Sequence, residues 1–417
     1  MTIASDSALS LAEVKVAFEF AQAQVRSLAE KYPGFYPLYT EGGRWRHSKP
    51  AWTHWCDGFL PGMMWIFYEE TGAAEWRELA ESYSRPLEPR KADRDVHDLG
   101  FIFYHGSYKR WYDAAVAEGR PQAPLKEVVI EGGHTMALRF NPLGGFLRSF
   151  HGADSTFIDI MMNVGIIFYS ALETGDEQLA EIAHRHCQTT RRHLVRADGS
   201  TAQEGIFDLR TGEFLRQSTQ QGFSVESCWS RGLAWSLYGF ASCYELTGER
   251  AYLQAAQANA DYWLAHADAD GFGYGVVPWD FDAPRGGPLG REVVDTSASA
   301  IAAAGLLNLA GLTDQEARRE AYLECAKRTL GALTSEYLAP KRANARKRGA
   351  ARKREAEDAR RRGAADEQEG WEGILRGGVY HIHKDLGVNE SVMWGEFFFV
   401  EALQKMMRLL DQSAPQT

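Results

Sequence analysis

The sequence lacks the features that mark membrane, secreted and redox-active proteins. No run approaches the roughly 20 consecutive apolar residues that a membrane-spanning helix requires. The stretch MTIASDSALSLAEVKVAFEF has no basic start followed by an apolar block, since Asp6 and Glu13 interrupt it. The five cysteines are odd in number and lack the close pairing of a zinc or redox site. We therefore expect a protein of the reducing cytoplasm that has no membrane partner.

Patterns suited to metal ions or nucleic acid are also scarce. The carboxylates are dispersed along the chain, so we expect no metal and no organic cofactor. The formal net charge of −10 discourages a polyanionic partner. Residues 341–362 oppose this balance with eleven Lys and Arg against three Asp and Glu, but no aromatic residue interleaves them. We expect no nucleic-acid partner, and we interpret residues 340–370 as a basic, flexible insertion in preference to a polysaccharide-binding arm.

Helical hairpins are the pattern that the sequence does contain. A chain of 417 residues with 45% hydrophobic content can bury a large core. Three stretches each run an apolar helix into Thr-Gly and begin a second helix within a few residues: WIFYEETGAAEWRELA, IFYSALETGDEQLAEIA and SLYGFASCYELTGERAYLQAA. Glycine suits a helix C terminus, and an acidic residue after it suits the first turn of the next helix.

Six leading helices share a polar opening followed by apolar residues all round, which indicates burial. They are HWCDGFLPGMMWIFY, VHDLGFIFYHG, TFIDIMMNVGIIFY, ESCWSRGLAWSLYGF, VDTSASAIAAAGLL and MWGEFFFVEAL. Amphipathic followers such as EQLAEIAHRHCQTTRRHL would form an outer layer, and strand-like alternation is scarce. We predict an all-α fold, a six-hairpin (α/α)6 barrel or toroid, in which residues 1–417 form a single domain that contains the basic insertion.

Charged residues mark the starts of these six helices. If the inner helices begin at one end of the barrel, one cleft gathers Asp57, Asp98, Asp159, Arg231, Asp295 and Glu396. A carboxylate at a helix start can accept from unpaired N–H groups, so we interpret Asp57 and Asp295 as capping or structural residues. We interpret Asp98 and Asp159 as chemical groups, because they lie in otherwise apolar helices. Two carboxylates that face one pocket can hold one charged and the other protonated.

Tryptophan accompanies the same helix starts, at Trp55, Trp229, Trp235 and Trp394. An indole face can stack on a sugar ring while its N–H reaches a hydroxyl, although a helical tryptophan is more often a core residue. Clustering with carboxylates and Arg231 favours the first interpretation. The residues alone therefore predict a carbohydrate-active pocket with acid–base carboxylates.

Six blocks also carry a resemblance to a known family. The blocks HWCDGF, HDLGF, FIDIMMN, QQGFSVESCWSRGLAW, DTSASAI and YHIHKDLGVNESVMWGEFF occur in order between about residue 12 and residue 410. In order and spacing they resemble the unsaturated glucuronyl hydrolases, glycoside hydrolase family 88. The resemblance implies an α/α barrel of six hairpins, in agreement with the hairpin pattern.

The resemblance implies a reaction on the 4,5-unsaturated uronic acid that polysaccharide lyases leave at the non-reducing end of an oligosaccharide. Enzymes of this family hydrate the vinyl ether double bond, and the resulting hemiketal opens and releases the rest of the oligosaccharide. In the matching role, Asp159 would protonate C4 as an acid and then, as a base, help water add at C5. Asp98 would hold substrate or water and tune the proton affinity of Asp159.

The resemblance further implies a set of substrate-binding residues: Trp55, His97, Gln203, Gln221, Trp229, Arg231 and Trp235. Arg231 suits a uronate carboxylate, and a buried structural ion pair is the alternative. The sequence departs from the family at Gln203, where a histidine is common near the reacting water, and at Phe140, in place of a tryptophan. The run HIHKDLGVNES also differs where the family meets the next sugar, so the parent polysaccharide, its linkage and its sulfation stay open, as does the oligomeric state.

Two other classes of function stay open on the residues. An ordinary inverting glycosidase on the same toroid would use two separated carboxylates around a saturated sugar. A sugar epimerase or sugar-binding toroid would depend on histidines, for which the sequence offers His97, His134, His151, His381 and His383.

Overall fold

The protein is described by a computed structural model over residues 9–49, 52–267, 275–287, 289–339 and 370–413. The α-helices are α1 (Leu11–Lys31), α2 (Phe59–Thr71), α3 (Ala74–Ser84), α4 (Tyr108–Ala117), α5 (Ala123–Ala137), α6 (Ile160–Asn163), α7 (Gly165–Thr174), α8 (Glu177–His193), α9 (Ser230–Thr247), α10 (Arg250–Ala267), α11 (Thr296–Leu312), α12 (Glu316–Ala332) and α13 (Met393–Ser413). The predicted basic insertion lies outside the described residues, apart from Gly370.

Shorter elements connect these helices. The strands are β1 (Thr40–Glu41), β2 (Arg44–Trp45), β3 (Phe140–Asn141), β4 (Phe146–Leu147), β5 (Ser155–Phe157), β6 (Glu204–Phe207), β7 (Phe214–Ser218), β8 (Gly378–His381) and β9 (Leu386–Glu390). Over the residues that the structure describes, two segments are π-helical, Gly100–Gly106 and Leu333–Tyr337, and two are 3-10 helical, Arg85–Ala92 and Ile382–Lys384. No helix in the described parts of the chain combines the length and the apolar character needed to cross a membrane.

Six buried helical segments form an inner ring, as the sequence predicts. In ring order they are α2, the π-helix Gly100–Gly106, α6 with α7, α9, α11 and α13, and α13 closes the ring by packing against α2. The helices α1, α3, α5, α8, α10 and α12 pack outside this ring, each against an inner segment. The predicted (α/α)6 barrel is therefore confirmed.

The Thr-Gly pairs end three inner helices in the same way. Gly72, Gly175 and Gly248 follow α2, α7 and α9 with φ of 65°, 70° and 69°, a left-handed conformation that favours glycine. The threonine before each glycine donates its hydroxyl hydrogen to the carbonyl four residues earlier, at 2.6, 2.7 and 2.7 Å. The outer helix then begins within a few residues, so each pair fixes the turn of a hairpin.

Glycines let the inner segments approach α6 closely. A Cβ atom on Gly100 would lie 2.5 Å from Asn163 Cα, and one on Gly239 would lie 2.6 Å from the carbonyl carbon of Met161. Any larger residue at either position would push α6 outward. Because α6 begins directly after Asp159, these two contacts help to fix the position of that carboxylate.

The second inner segment differs from the regular helix that its apolar run predicts. Residues Gly100–Gly106 form a π-helix, a wider turn that is found mostly as single turns at functional sites. Strands also accompany the starts of inner segments: β5 pairs with β6 just before Asp159, and β8 pairs with β9 just before α13. These small antiparallel sheets bring loop residues to one end of the barrel.

Candidate active site

A cavity with about 800 Å³ of empty space, part of it open to solvent, lies at the end of the barrel where the inner helices begin, and we name it the barrel pocket. Its aromatic lining consists of Trp52, Trp55, Phe101, Phe150, Phe157, Trp235 and Tyr380. Its polar lining consists of Thr53, His97, Asp98, His151, Asp159, Gln220, Gln221, Arg231, His381 and Lys384. Aromatic faces combined with hydrogen-bonding groups suit a sugar ring and its hydroxyls.

Most of the predicted site residues meet in this pocket. Those that line it are Asp98, Asp159, Trp55, His97, Gln221, Arg231 and Trp235. Gln203 and Trp229 lie behind its wall instead, where each supports residues that do line it. The other charged residues at helix starts are structural: Asp295 caps α11 by accepting from the Ser297 N–H at 3.0 Å, and Glu396 accepts from the backbone N–H of Ile374 and Leu375.

The two carboxylates of the barrel pocket are held toward their protonated forms. Burial raises the pKa of Asp159 to about 7, although the positive charge of Arg231 opposes the rise. Burial also raises the pKa of Asp98 well above its ordinary value, and the neighbouring charge of Asp159 adds to it. Among the described residues, the buried Oδ1 of Asp159 has no hydrogen-bond partner. The pair therefore retains a proton near neutral pH, with one oxygen left open for a ligand.

We expect Asp159→Asn to raise the melting temperature at neutral and alkaline pH. The pKa of Asp159 is about 7 in the folded protein against an ordinary value of 3.8, so between these two pH values unfolding releases a proton, and stability falls as the pH rises across that range. The amide does not titrate, so the gain should be absent at pH 4 and largest above pH 7. Thermal denaturation across this range checks it, and a gain independent of pH would contradict the shifted titration.

His97 is fixed as a neutral hydrogen-bond donor beside Asp98. Its Nδ1 accepts the backbone N–H of Phe150 at 3.0 Å, which leaves the hydrogen on Nε2, 3.5 Å from Asp98 Oδ1. Burial lowers the pKa of His97 well below its ordinary value. Because the ring stays neutral, the proton that the carboxylate pair shares is not transferred to this imidazole.

Arg139 ties together the two loops that frame His97. Its guanidinium donates to the carbonyls of Val96 at 3.4 Å, Arg148 at 2.8 Å and Ser149 at 2.7 Å, and also to that of Arg94. The loop before His97 and the loop before Phe150 are thus joined by one side chain. Sequence reasoning missed this role, since an arginine in the run MALRF gives no sign of which carbonyls it meets.

Asn163 joins the two segments that carry the carboxylates. Its Oδ1 accepts the N–H of Phe101 at 2.8 Å, and its Nδ2 donates to the carbonyl of Asp159 at 3.3 Å. His105 adds a second link, since its Nε2 donates to the Met162 carbonyl at 2.8 Å. The π-helix that follows Asp98 and the turn that carries Asp159 are therefore held in register by side chains.

We expect Asn163→Leu to lower kcat by about tenfold, since the loss of these bonds leaves a buried N–H unpaired and frees the carboxylates to shift apart. Asn259→Leu is a matched control, because Asn259 is also fully buried but links Ser236 to Gly199, away from the pocket. Both variants should lose thermal stability. Only Asn163→Leu should change kcat and its pH profile below the melting temperature, and equal effects on kcat would contradict the positioning role.

Arg231 forms the buried ion pair that the sequence left open as an alternative. Its Nη1 donates to Asp295 Oδ2 at 2.8 Å, and its Nη2 donates to the Tyr380 carbonyl at 2.8 Å. The guanidinium lies 4.5 Å from the ring centroid of Trp229 and 5.3 Å from that of Trp394. Arg231 is thus locked in place, and its positive charge acts on Asp159 from the pocket wall.

Gln203 holds the loop that carries two pocket glutamines. Its Oε1 accepts from the backbone N–H of Gln220 and of Gln221, both at 2.7 Å, and from the Thr219 hydroxyl at 2.9 Å. Its Nε2 donates to Gln221 Oε1 at 2.9 Å. From the sequence we expected position 203 to contact the reacting water. The hydrogen bonds of Gln203 go to the loop instead, so its role in the structure is to support that loop. Phe140 also lies outside the pocket lining, and the aromatic that lines the pocket nearby is Phe150.

The lining residues Trp52, Gln220 and Lys384 were not predicted as site residues, and His151 and His381 were considered only for the alternative of a sugar epimerase or sugar-binding toroid. They lie on loops and on the β8–β9 hairpin, where helical periodicity carries no signal. Burial lowers the pKa of His381 to about 4, so this imidazole is neutral in the pocket. Within the described ranges, no group of three or more His, Cys, Asp and Glu residues could hold a metal ion.

The (α/α)6 barrel and a sugar-sized pocket with paired buried carboxylates are typical of barrel glycoside hydrolases. No protein-family profile matches the chain. Among curated proteins, the unsaturated glucuronyl hydrolase of Bacillus sp. (strain GL1) is 29% identical over 367 residues, which cover 85% of this chain and 87% of the relative. The unsaturated chondroitin disaccharide hydrolase of Streptococcus pyogenes serotype M1 is 26% identical over 409 residues, 96% and 92% of the two chains.

Comparison with solved structures shows the same similarity. The crystal structure of unsaturated glucuronyl hydrolase from Bacillus sp. GL1 matches with a TM-score of 0.80 and 26% identity, covering 95% of this chain and 97% of that chain. The resemblance that the six sequence blocks predicted is confirmed. In both sequence and fold, the chain is similar to the unsaturated glucuronyl hydrolases, which form glycoside hydrolase family 88.

Proposed function

We propose that this protein releases 4,5-unsaturated uronic acid from the non-reducing end of lyase-generated oligosaccharides by hydrating the vinyl ether double bond. The names of the relatives support this substrate class, and the Bacillus enzyme is described as responsible for the degradation of glycosaminoglycan. The observation that carries the proposal is Asp159, a buried carboxyl group with a pKa raised to about 7 and one unpartnered oxygen in an aromatic pocket.

The reaction begins with proton transfer from Asp159 to C4. The π electrons of the C4–C5 bond form the new C4–H bond, and positive charge develops at C5, where the ring oxygen shares it. The carboxylate left on Asp159 is stabilised by the positive charge of Arg231. An acid whose pKa lies near the working pH donates efficiently and can accept a proton in the next step.

Water then adds to C5, and its proton passes to the Asp159 carboxylate, which restores the acid. The product is a hemiketal, which opens by breaking the bond between C5 and the ring oxygen to leave a ketone at C5. C1 then carries a free hydroxyl beside the glycosidic oxygen, and this hemiacetal releases the remaining sugar. Asp98 lies beside the reacting carboxylate, holds substrate or water and tunes its proton affinity.

The aromatic walls hold the sugar ring over these carboxylates. Trp55 is supported by the ring of Trp394 at 4.9 Å, and its Nε1 donates to the Tyr380 hydroxyl at 3.4 Å. Trp235 packs against Phe101, with ring centroids 5.0 Å apart. Because these indoles are locked by neighbouring rings, they can present fixed faces to the substrate at little cost in side-chain entropy.

The test is to follow ultraviolet absorbance of the conjugated double bond during incubation with unsaturated disaccharides that polysaccharide lyases produce. Vinyl ether hydration removes the absorbance as the free sugar appears. An inverting glycosidase on a saturated sugar would release sugar from saturated substrates and leave the absorbance unchanged. A sugar-binding toroid would change neither signal, so either of these outcomes would overturn the proposal.

We further propose that the reaction needs no metal and takes place in the cytoplasm. Proton transfer and water addition require only the carboxylate pair and water, which supports a reaction without a metal. All five cysteines are buried in the fold, which supports the reducing cytoplasm as the compartment. Preincubation with a strong chelator should leave kcat unchanged. Loss of activity that returns on adding a divalent metal would contradict this part of the proposal.

A further inference from the structure

A second cavity, with about 1510 Å³ of empty space that is partly open to solvent, adjoins the barrel pocket, and we name it the side groove. Trp52 and Thr53 line both cavities, so they form the boundary that the two share. The groove is also lined by Val96, whose neighbour in the chain, His97, lines the barrel pocket. The groove and the barrel pocket are therefore adjacent at these two places in the chain.

The shared boundary is held rigidly on the pocket side. Trp52 stacks against His381 with ring centroids 5.6 Å apart, and it meets Tyr380 edge to face at 5.1 Å. Lys384 places its Nζ 4.6 Å from the ring centroid of Trp52. An indole fixed in this way offers a rigid aromatic surface where the pocket and the groove meet.

Aromatic and polar groups line the groove together. His47 stacks on Phe35 with centroids 4.1 Å apart, and Tyr36 is half-buried beside them in the lining. Arg46 lies over Tyr39 at 5.4 Å from the ring centroid. Flat rings next to hydrogen-bonding groups are suited to sugar residues, as in the barrel pocket.

The charges of the groove largely cancel. Its lining carries Arg46, Lys49 and Arg90 against Asp57, Asp93 and Asp95. Arg90 is held by Asp57 and Asp93, each at 3.0 Å, so its charge is compensated inside the wall. The groove therefore offers a polar surface without a strong field of one sign, which suits the hydroxyl groups of sugars.

We propose that the side groove binds the second and later sugars of the leaving chain, so that the protein acts on oligosaccharides longer than a disaccharide with higher kcat/KM. The proposal rests on the proposed function, which places the unsaturated sugar beside Asp159. From there a longer chain passes over Trp52 and contacts the aromatic wall around His47. A disaccharide is too short to extend along that wall, so the groove affects only longer substrates.

The experiment compares an unsaturated disaccharide with an unsaturated tetrasaccharide from the same lyase digest. For the wild-type protein we expect kcat/KM to be about tenfold higher for the tetrasaccharide, equivalent to about 1.4 kcal/mol. His47→Ala removes aromatic surface, and Ser48→Trp fills the groove from an exposed position. Each variant should bring the ratio of the two kcat/KM values close to one.

Ser82→Trp is the matched control, since Ser82 is exposed on α3 and lines neither the pocket nor the side groove. It should leave both substrates unaffected. Two results would contradict sugar binding in the side groove and leave the proposed function intact. One is equal kcat/KM values for both substrates in the wild type, and the other is a ratio that His47→Ala and Ser48→Trp do not change. If the disaccharide showed no loss of absorbance, the result would contradict the proposed function and, with it, the role proposed for the side groove.

Discussion

Asp159→Asn should abolish nearly all turnover while the barrel stays folded. The amide has the shape of the acid but cannot deliver a proton to C4 or take one from water, and general acid–base groups contribute about 10²–10⁴-fold to rate. The raised pKa and the unpartnered Oδ1 support the proposal that Asp159 is the proton donor of the pocket. The measurement is kcat with an unsaturated disaccharide, together with circular dichroism of the folded variant.

Asp176→Asn provides the matched control for this change. Asp176 caps α8 by accepting from the N–H groups of Gln178 and Leu179 at 2.9 and 3.1 Å, and asparagine caps a helix as well as aspartate does. The same chemical change in the outer layer should leave kcat and the melting temperature unaltered. Substantial turnover by Asp159→Asn would remove Asp159 from the acid–base role and return the choice of proton donor to Asp98.

Asp98→Asn should lower kcat by about 10²-fold and move the alkaline limb of the kcat/KM profile to lower pH. In the wild-type pair, the charge of either carboxylate disfavours loss of the second proton, so the singly protonated pair persists above pH 7. With asparagine at position 98, Asp159 titrates alone, with a pKa of about 7 set by burial. The alkaline limb should then fall near pH 7.

The profile of kcat/KM against pH, measured for both proteins between pH 5 and pH 9, checks this prediction. A variant whose alkaline limb stays where it is in the wild type would show that Asp98 does not share a proton with Asp159. If Asp98→Asn also kept full activity, Asp98 would be only a structural residue of the second inner segment.

The helical architecture could be predicted because its signals are local. Thr-Gly pairs at Gly72, Gly175 and Gly248 mark hairpin turns through a backbone conformation that glycine favours, and apolar runs mark the buried ring. The π-helix at Gly100–Gly106 could not be predicted, because the run GFIFYHG looks the same in either helix type. Its geometry depends on contacts with α6, far along the chain.

The pocket could be predicted where its residues begin inner helices, as Asp98, Asp159 and Arg231 do. Gln203 shows the limit of this reasoning. Its position in the sequence suggested contact with water, whereas its hydrogen bonds to Gln220 and Gln221 place it under the loop. Trp52 also escaped prediction, because its importance comes from a hairpin more than 300 residues later that brings His381 and Lys384 against it.

Because α13 closes the inner ring, the barrel can be completed only after α13 has been synthesised. Helices α2 and α11 bury apolar faces against α13, and Tyr380 and His381 of the pocket lie just before it. While a ribosome is still making the region before Met393, those faces have no partner and the pocket lacks one wall. Folding of the barrel and completion of the site are therefore a single late event in synthesis, and a nascent chain stalled before α13 would depend on chaperones.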